Sequence, residues 1–340
     1  MPLRSREIRL AARPRGLPAA GDLVLQEVEL PDPVDGQVLV RNAFVSVDPY
    51  MRPRMNDVRS YVPPYAVGEP LTGGAVGQVV ASASAALPEG TWVRHELGWR
   101  EAALVEAGRA RPVDPAVAPL STSLGVLGMP GLTAFVGIVD VAEVKEGDTV
   151  FVSGAAGAVG SLAGQLARLR GARVIGSAGS AEKRAWLAEL GFDASFDYHE
   201  TKARKALREL APDGIDVYFD NVGGETLEAA IGALEQHGRI VACGSIAGYN
   251  ATEPQPGPRN MFMVVTKRLR MQGFIVFDHF DRWGAFLAEV APRVADGTIG
   301  YRETIVDGLE HAPEAFLALF SGENVGKMLV RVGPEPGPGP

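Results

Sequence analysis

One stretch of the chain, residues 149–170, restricts the possible folds more than any other. It reads TVFVSGAAGAVGSLAGQLARLR, in which an apolar strand pattern runs into Gly154, Gly157 and Gly160 before an amphipathic helix pattern begins. Such glycines permit a tight turn and a close approach of the backbone to a pyrophosphate, and the start of a helix attracts anions. A glycine-rich turn that only packs a helix on a sheet is the alternative, but the strand–turn–helix context favours a dinucleotide site.

The residues around this motif alternate between strand and helix patterns, which predicts parallel β-α-β units. The predicted strands are Thr149–Ser153, Arg173–Ser177, Ala194–Asp197, Val217–Asp220, Arg239–Cys243 and Met271–Val276. Six strands with helical crossovers are typical of a doubly wound Rossmann domain, which we place at residues 125–299.

The chain has a different character before residue 125. Strand patterns such as Val38–Val40, Gly77–Ala81 and Thr91–Arg94 are short and are separated by proline and glycine turns. This spacing predicts a small, mostly β domain over residues 1–124. Short strands and turns return near residue 300, so residues 300–340 are predicted to complete that domain. The fold class is therefore α/β, with an irregular proline-rich loop at 253–259.

The end of the second predicted Rossmann strand bears on the choice between NAD and NADP. An NAD site usually has Asp or Glu there, which accepts hydrogen bonds from the ribose. This strand instead continues into Gly179 and Ser180, and Lys183 follows at the start of the next helix pattern. A cation near the 2′-phosphate favours NADP. Alternatively, Glu182 is the missing acid and Lys183 is a solvated helix residue.

Composition excludes several classes of function. Cys243 is the single cysteine and the five histidines are scattered, so we expect no zinc or other metal site. His95 is expected to be an ordinary surface or hydrogen-bonded residue, and Cys243 to be buried or cofactor-facing rather than nucleophilic. The formal net charge of -8 disfavours nucleic acid and anionic membranes as partners. A signal-peptide core and a membrane-length apolar run are both absent, which predicts a cytoplasmic protein.

Seven segments of the chain carry a resemblance to a known family. They are SVDPYMR (46–52), GMPGLTA (128–134), AAGAVGS (155–161), FDNVGG (219–224), CGSIAGYN (243–250), GFIV (273–276) and GKMLV (326–330). In this order they resemble the medium-chain dehydrogenase/reductase superfamily, in its zinc-free prostaglandin reductase (leukotriene B4 dehydrogenase-like) branch. That branch includes bacterial curcumin reductases and plant alkenal double-bond reductases. The resemblance implies a GroES-like substrate domain, a Rossmann domain that binds NADPH/NADP+, and a homodimer.

The same resemblance implies a set of cofactor contacts. Gly157, Ala158, Val159 and Gly160 match the residues at the pyrophosphate, and Lys183 and Tyr198 match those at the 2′-phosphate. The remaining matches are Asn221, the loop Cys243, Gly244, Ser245, Ile246, Ala247, Gly248 and Tyr249, the stretch Phe274, Ile275 and Val276, and Asn324. Residues 251–260 diverge where the family's substrate pocket is partly formed, so the resemblance does not identify the substrate.

The reaction that the resemblance implies is hydride transfer to the β-carbon of an α,β-unsaturated carbonyl compound. The resulting enolate oxygen needs a hydrogen-bond donor, and the candidates are Tyr50, Tyr249 and the cofactor ribose hydroxyl. Tyr50 could equally be a packing tyrosine whose hydroxyl caps a loop. Arg52 is expected to pair with an acid such as Asp48 rather than with a substrate carboxylate. The alternative functions are an NADPH quinone oxidoreductase of the same superfamily and, less favoured, a non-catalytic NADPH-binding protein.

Overall fold

The computed structural model describes residues 3–19 and 21–335. The chain forms two compact units. The first contains the described residues up to Gly125 and those from Glu303 onward, and the second is Val126–Arg302. Residues 1, 2 and 20 of the predicted first domain, and residues 336–340 of its predicted completion, lie outside the described residues.

The strands of the described part follow one another along the chain as β1 (Leu3–Leu10), β2 (Leu23–Leu30), β3 (Gln37–Ser46), β4 (Ala75–Ser82), β5 (Trp92–His95), β6 (Ala102–Glu106), β7 (Arg111–Pro112), β8 (Thr149–Val152), β9 (Arg173–Ala178), β10 (Ala194–Asp197), β11 (Ile215–Asp220), β12 (Leu234–Ala242), β13 (Arg270–Gly273), β14 (Glu303–Asp307) and β15 (Lys327–Arg331).

The α-helices of the same residues are α1 (Met51–Arg54), α2 (Met129–Val136), α3 (Ala158–Leu169), α4 (Ala181–Glu189), α5 (Ala203–Leu210), α6 (Gly224–Ala233), α7 (Phe262–Thr266), α8 (Trp283–Ala295) and α9 (Ala312–Ser321). The proline-rich loop at 253–259 forms neither helix nor strand, as predicted.

The second unit is built on a parallel sheet with the strand order β10-β9-β8-β11-β12-β13. Its central strand β11 is buried almost throughout, with Val217, Tyr218 and Phe219 inaccessible to solvent. Such burial on both faces is typical of a parallel sheet covered by crossover helices. One of them, α3, buries Leu162 and Leu166 at helical spacing. The predicted Rossmann-like fold is confirmed.

Two strand ends differ from the prediction. Strand β12 begins at Leu234, because Leu234 pairs with Ile215 before an irregularity that contains His237 at a φ of 64°. Residues 235–238 are polar and show no strand pattern, so the sequence does not predict this first part of β12. Strand β13 ends at Gly273, and the predicted strand extension over Phe274–Val276 is wrong. Those residues instead lead into a short helical turn, Val276–Arg282.

The first unit contains a mixed sheet with the order β14-β15-β3-β4-β5-β7, and β6 also pairs with β3. Strand β3 carries the core, since nine of its ten residues are wholly or partly buried. Strands β1 and β2 form a separate antiparallel pair. Strand β15 pairs antiparallel with β3, which joins the last part of the chain to one of its earliest strands.

The prediction of only strands and turns after residue 300 is wrong at α9. This helix buries Ala312, Ala315 and Phe316, which follow the i, i+3, i+4 spacing of a helix face. Pro313 occupies its first turn and Gly322 follows its end with a φ of 70°, the usual chemistry for a helix start and stop. The pattern is short, which is why the neighbouring strand signals obscured it.

Candidate dinucleotide site

The turn between β8 and α3, here called the phosphate turn (residues 153–160), fits a pyrophosphate. Gly154 has a φ of 58°, and its carbonyl oxygen accepts a hydrogen bond from Gly157 N–H at 3.0 Å. A β-carbon on Gly160 would lie only 2.5 Å from that same oxygen, so a side chain there would displace the turn. Gly157 has no side chain to cap α3, and the first-turn N–H groups of a helix lack intrahelical acceptors. The turn therefore presents backbone donors to an anion.

The end of β9 holds the residues predicted at the 2′-phosphate. Ser180 caps α4 by accepting a hydrogen bond from the backbone N–H of Lys183 at 3.2 Å. Lys183 as a whole residue is only 9% exposed, and burial lowers its pKa. This burial does not fit the alternative in which Lys183 is a solvated helix residue. Tyr198 lies over Gly179, because a β-carbon on Gly179 would be 2.5 Å from the Tyr198 hydroxyl.

A buried network fixes Asn221 beside the phosphate turn. Oδ1 of Asp220 accepts hydrogen bonds from the Tyr218 hydroxyl at 2.7 Å and from the backbone N–H groups of Val222 and Gly223. Ser153 accepts from the backbone N–H of Asn221, whose side-chain amide donates to the carbonyl of Ser153 at 2.8 Å. The carboxyl ends of β8 and β11 are thereby tied together. Sequence reasoning missed Asp220 and Tyr218, although a buried acid at a strand end is a recognisable signal.

The loop from Cys243 to Tyr249 is held against the same strand end. The backbone N–H groups of Cys243 and Gly244 both donate to the Asp220 carbonyl at 3.0 Å. Ile246, Ala247 and Gly248 form a short helical turn, in which Ile246 donates to the carbonyl of Asn221. Burial raises the pKa of Cys243 to about 12, so the thiol is protonated at neutral pH and is a poor nucleophile, as expected.

Tyr249 closes this loop. Its hydroxyl accepts a hydrogen bond from the backbone N–H of Ser245 at 3.3 Å, which leaves the phenolic proton available for donation. Burial raises the pKa of Tyr249, so this proton is retained at neutral pH.

The predicted stretch Phe274, Ile275 and Val276 follows β13 and is half-buried. The Phe274 ring packs edge-on against His279, with 6.1 Å between ring centroids. It also lies close to Gly137, where a β-carbon would be 3.4 Å from Cζ of Phe274. These residues thus form an apolar wall within the second unit.

Tyr50 and Asn324 belong to the first unit, whereas all the other predicted site residues belong to the second. Tyr50 precedes α1 and packs on the core of its unit. Burial raises its pKa well above the usual range, and the neighbouring Asp48 adds to the shift, so the phenol stays protonated. The side-chain amide of Asn324 donates to the carbonyl of Gly326 at 2.8 Å.

A buried ion pair, which the sequence did not reveal, fixes the segment before Tyr50. The ammonium group of Lys327 lies 3.1 Å from Oδ1 of Asp48 and donates to the carbonyls of Val47 at 2.9 Å and Met328 at 2.6 Å. The other carboxylate oxygen of Asp48 accepts from the Ser46 hydroxyl. Burial lowers the pKa of Lys327, and Asp48 opposes that shift.

The expected pairing of Arg52 with Asp48 is wrong, since the acid is paired with Lys327. The fully buried Arg52 donates to the carbonyls of Pro14 and Gly16 and to the side chain of Asn56, and so anchors an N-terminal loop on α1. Proximity in sequence predicts Asp48 as the partner, but the structure gives the arginine backbone carbonyls and an amide instead.

His95 is buried and hydrogen-bonded at both ring nitrogens. Of the two environments expected for it, surface or hydrogen-bonded, the structure shows the second. Its Nε2 lies 2.9 Å from Oδ1 of Asn42, and its Nδ1 accepts from the backbone N–H of Leu97 at 3.1 Å. Burial lowers its pKa to about 3. Within residues 3–19 and 21–335, no group of three or more His, Cys, Asp and Glu side chains is arranged to hold a metal ion. Over the same residues, the helices are too short or too polar to span a bilayer.

The chain is similar to known oxidoreductases over most of its length. Residues 6–113 match the family model described as N-terminal domain of oxidoreductase, and residues 158–291 match the one described as zinc-binding dehydrogenase. The NADPH-dependent curcumin reductase of Escherichia coli is 42% identical, with 97% of each chain covered. The NADP(+)-dependent 2-alkenal reductase of Nicotiana tabacum is 40% identical, covering 94% of this chain and 95% of its own.

A solved structure extends the likeness to three dimensions. CurA from Vibrio vulnificus in complex with NADPH superimposes with a TM-score of 0.92 at 42% identity, covering 97% of this chain and 99% of that one. Identity above 40% over nearly the whole length leaves no doubt about common ancestry. The chain belongs to the medium-chain dehydrogenase/reductase family, in the branch of the curcumin, 2-alkenal and prostaglandin reductases.

Proposed function

We propose that this protein uses NADPH to reduce the carbon–carbon double bond of α,β-unsaturated carbonyl compounds. The observation that carries the proposal is the sequence identity of 40% or more to reductases of this class, over 94% or more of the chain. The phosphate turn supports it, because a side chain on Gly160 would collide with the turn. A 2-alkenal is an unsaturated aldehyde, so the name of the tobacco relative designates the substrate class. In the overall reaction, substrate, NADPH and a proton give the saturated carbonyl compound and NADP+.

The residues of the second unit provide the cofactor contacts in this proposal. The N–H groups of Ala158, Val159 and Gly160 hold the pyrophosphate, Gly157 allows its close approach, and Lys183 and Tyr198 hold the 2′-phosphate. Asn221 and the loop from Cys243 to Tyr249 lie at the ends of the central strands, beside the apolar wall of Phe274, Ile275 and Val276. When bound, the cofactor supplies a hydride from its nicotinamide ring.

The chain's own contribution to the chemistry is positioning and hydrogen bonding. An apolar wall excludes water, which strengthens each hydrogen bond to a developing enolate. Tyr50 and Tyr249 are proposed as the donors to the carbonyl oxygen, since burial keeps both phenols protonated. We assign substrate binding to the first unit, with Asn324 as a further contact to the nicotinamide.

We also propose that the protein works as a homodimer in the cytoplasm. Strand β13 lies at the edge of its sheet, and all four of its residues are exposed. Exposed apolar side chains lie on β13 and on the segments that flank it in sequence, namely Met261, Phe262, Val265, Met271, Phe277 and Phe280. An open sheet edge beside an apolar surface favours pairing with a second copy. Size-exclusion chromatography with light scattering will give twice the chain mass if this is correct.

The function is tested by NADPH oxidation with a 2-alkenal, an aliphatic enone and a quinone, with identification of the products. We expect the saturated aldehyde and ketone, with the carbonyl group retained. Preferential turnover of the quinone would favour the quinone oxidoreductase alternative. Tight NADPH binding without oxidation by any substrate would favour a binding protein.

A further inference from the structure

The 2′-phosphate region contains a histidine that neither the motif nor the family resemblance singled out. His199 directly follows Tyr198, and their rings lie 4.4 Å apart. A β-carbon built on Gly179 would lie 2.5 Å from the Tyr198 hydroxyl and 3.1 Å from Nε2 of His199. The two side chains therefore converge on one glycine, and both are exposed to solvent.

Gly179 occupies the position that usually distinguishes NAD from NADP sites. It is the first residue after β9, where an NAD-binding protein of this fold usually carries an acid for the ribose hydroxyls. Here the small residue leaves room, and a hydroxyl and an imidazole nitrogen border the space. Lys183, in the first turn of α4, follows only four residues later. A hydroxyl, an imidazole and an ammonium group together suit a phosphate dianion.

We propose that His199 is a third recognition group for the 2′-phosphate of NADPH, and that it contributes to the preference for NADPH over NADH. This rests on the proposed use of NADPH. An imidazole nitrogen can donate a hydrogen bond to a phosphate oxygen, as the Tyr198 hydroxyl and the Lys183 ammonium group can. Loss of the imidazole should therefore weaken NADPH binding, whereas NADH, which lacks the 2′-phosphate, should bind equally well.

Charged groups lie on the two segments that carry these residues, and they define the controls. On the segment of His199 are Asp197, whose carboxylate accepts the backbone N–H of His199 at 2.9 Å, and Glu200. The first turn of α4 adds Glu182, Lys183 and Arg184. A variant that changes His199 alone separates its contribution from theirs.

The test measures dissociation constants of NADPH and NADH by fluorescence titration at one fixed pH. In His199→Ala, the loss of one hydrogen bond to the phosphate should weaken NADPH binding about fivefold. In His199→Lys, which restores a donor that carries a positive charge, NADPH binding should be tighter than in His199→Ala. NADH affinity should be equal in all three proteins.

The outcomes are distinct. Equal NADPH affinity in the unmodified protein and in His199→Ala would overturn the role of His199. So would an equal effect of the substitution on NADH, because a general structural effect does not depend on the 2′-phosphate. If the unmodified protein bound no NADPH at all, the proposed function itself would fail. Since His199 is exposed, equal melting temperatures should show that the variants fold normally.

Discussion

The phosphate turn of the second unit and the Asp48–Lys327 pair of the first unit place functional groups by opposite means. The phosphate turn consists of backbone, and its geometry is contained within residues 153–160. The ion pair consists of side chains from opposite ends of the chain, brought together when β15 pairs with β3. The phosphate turn requires that side chains be absent, whereas the ion pair requires that one charged side chain meet another of opposite charge. Substitutions should therefore affect cofactor binding at the phosphate turn and folding stability at the ion pair.

The largest expected effect is on the phosphate turn. Gly160→Ala puts a β-carbon 2.5 Å from the carbonyl oxygen of Gly154, so the turn must shift and its N–H groups lose their alignment. We expect NADPH to bind roughly a hundredfold more weakly, about 2.7 kcal/mol, by fluorescence titration. Gly157→Ala should weaken NADPH binding less than Gly160→Ala, because its β-carbon would lie 3.3 Å from the same oxygen. Gly157→Val should weaken it more than Gly157→Ala, because the side chain is branched.

Gly284→Ala is the matched control, because a β-carbon at that helical glycine meets nothing within 4 Å. Normal NADPH affinity in Gly160→Ala would mean that the turn only packs α3 on the sheet.

The next effect is on stability in the first unit. Lys327→Met leaves the buried carboxylate of Asp48 without its counter-charge, which typically costs about 3–5 kcal/mol. Lys202→Met is the control from the second unit, where the pair with Glu225 is more than 80% exposed and should contribute less than about 1 kcal/mol. Urea unfolding of the two variants should show this contrast. Similar losses would mean that Asp48 finds other partners.

A smaller effect follows from His95. Burial lowers its pKa to about 3, so the unfolded chain takes up this proton more readily than the folded one. The stability that the folded protein gains from its neutral, buried His95 is fully present above about pH 6.5. It is lost progressively as the pH falls towards 3. At pH 5 the loss is about 2 kcal/mol. Unfolding of the unmodified protein and of His95→Gln should show different pH slopes between pH 7.5 and 5, and parallel curves would contradict the assignment.

The smallest effect is catalytic. Tyr50→Phe keeps the packed ring and removes one donor, and since Tyr249 and the cofactor ribose hydroxyl can share the task, we expect about a tenfold loss of kcat. NADPH affinity should hardly change. Tyr249→Phe is the companion variant. A normal rate in Tyr50→Phe with a reduced rate in Tyr249→Phe would move the donor role to Tyr249, and two normal rates would leave the ribose hydroxyl as the donor.

This contrast also explains how much could be predicted from the sequence. The strand, the glycines and the helix of the phosphate turn are neighbours in the chain, so their pattern alone indicated the fold of the second unit. The sequence predicts Arg52, four residues away, as the partner of Asp48, because nothing near Asp48 in the chain indicates Lys327. Tyr218 and Asp220 share one strand, but their role depends on Ser153 from the turn that follows another strand. Contacts between distant segments escape pattern-based prediction because only the completed sheet creates them.

The pairing of β15 with β3 has a further consequence for the order of assembly during synthesis. Residues 126–302 are contiguous, so the second unit can fold as soon as they leave the ribosome. The first unit must wait until β14 and β15 have been made, and until then β3 exposes an apolar edge. Closing so long a loop is entropically slow, and exposed edges promote aggregation. A chain truncated before Lys327 should therefore accumulate in inclusion bodies even though its second unit is intact.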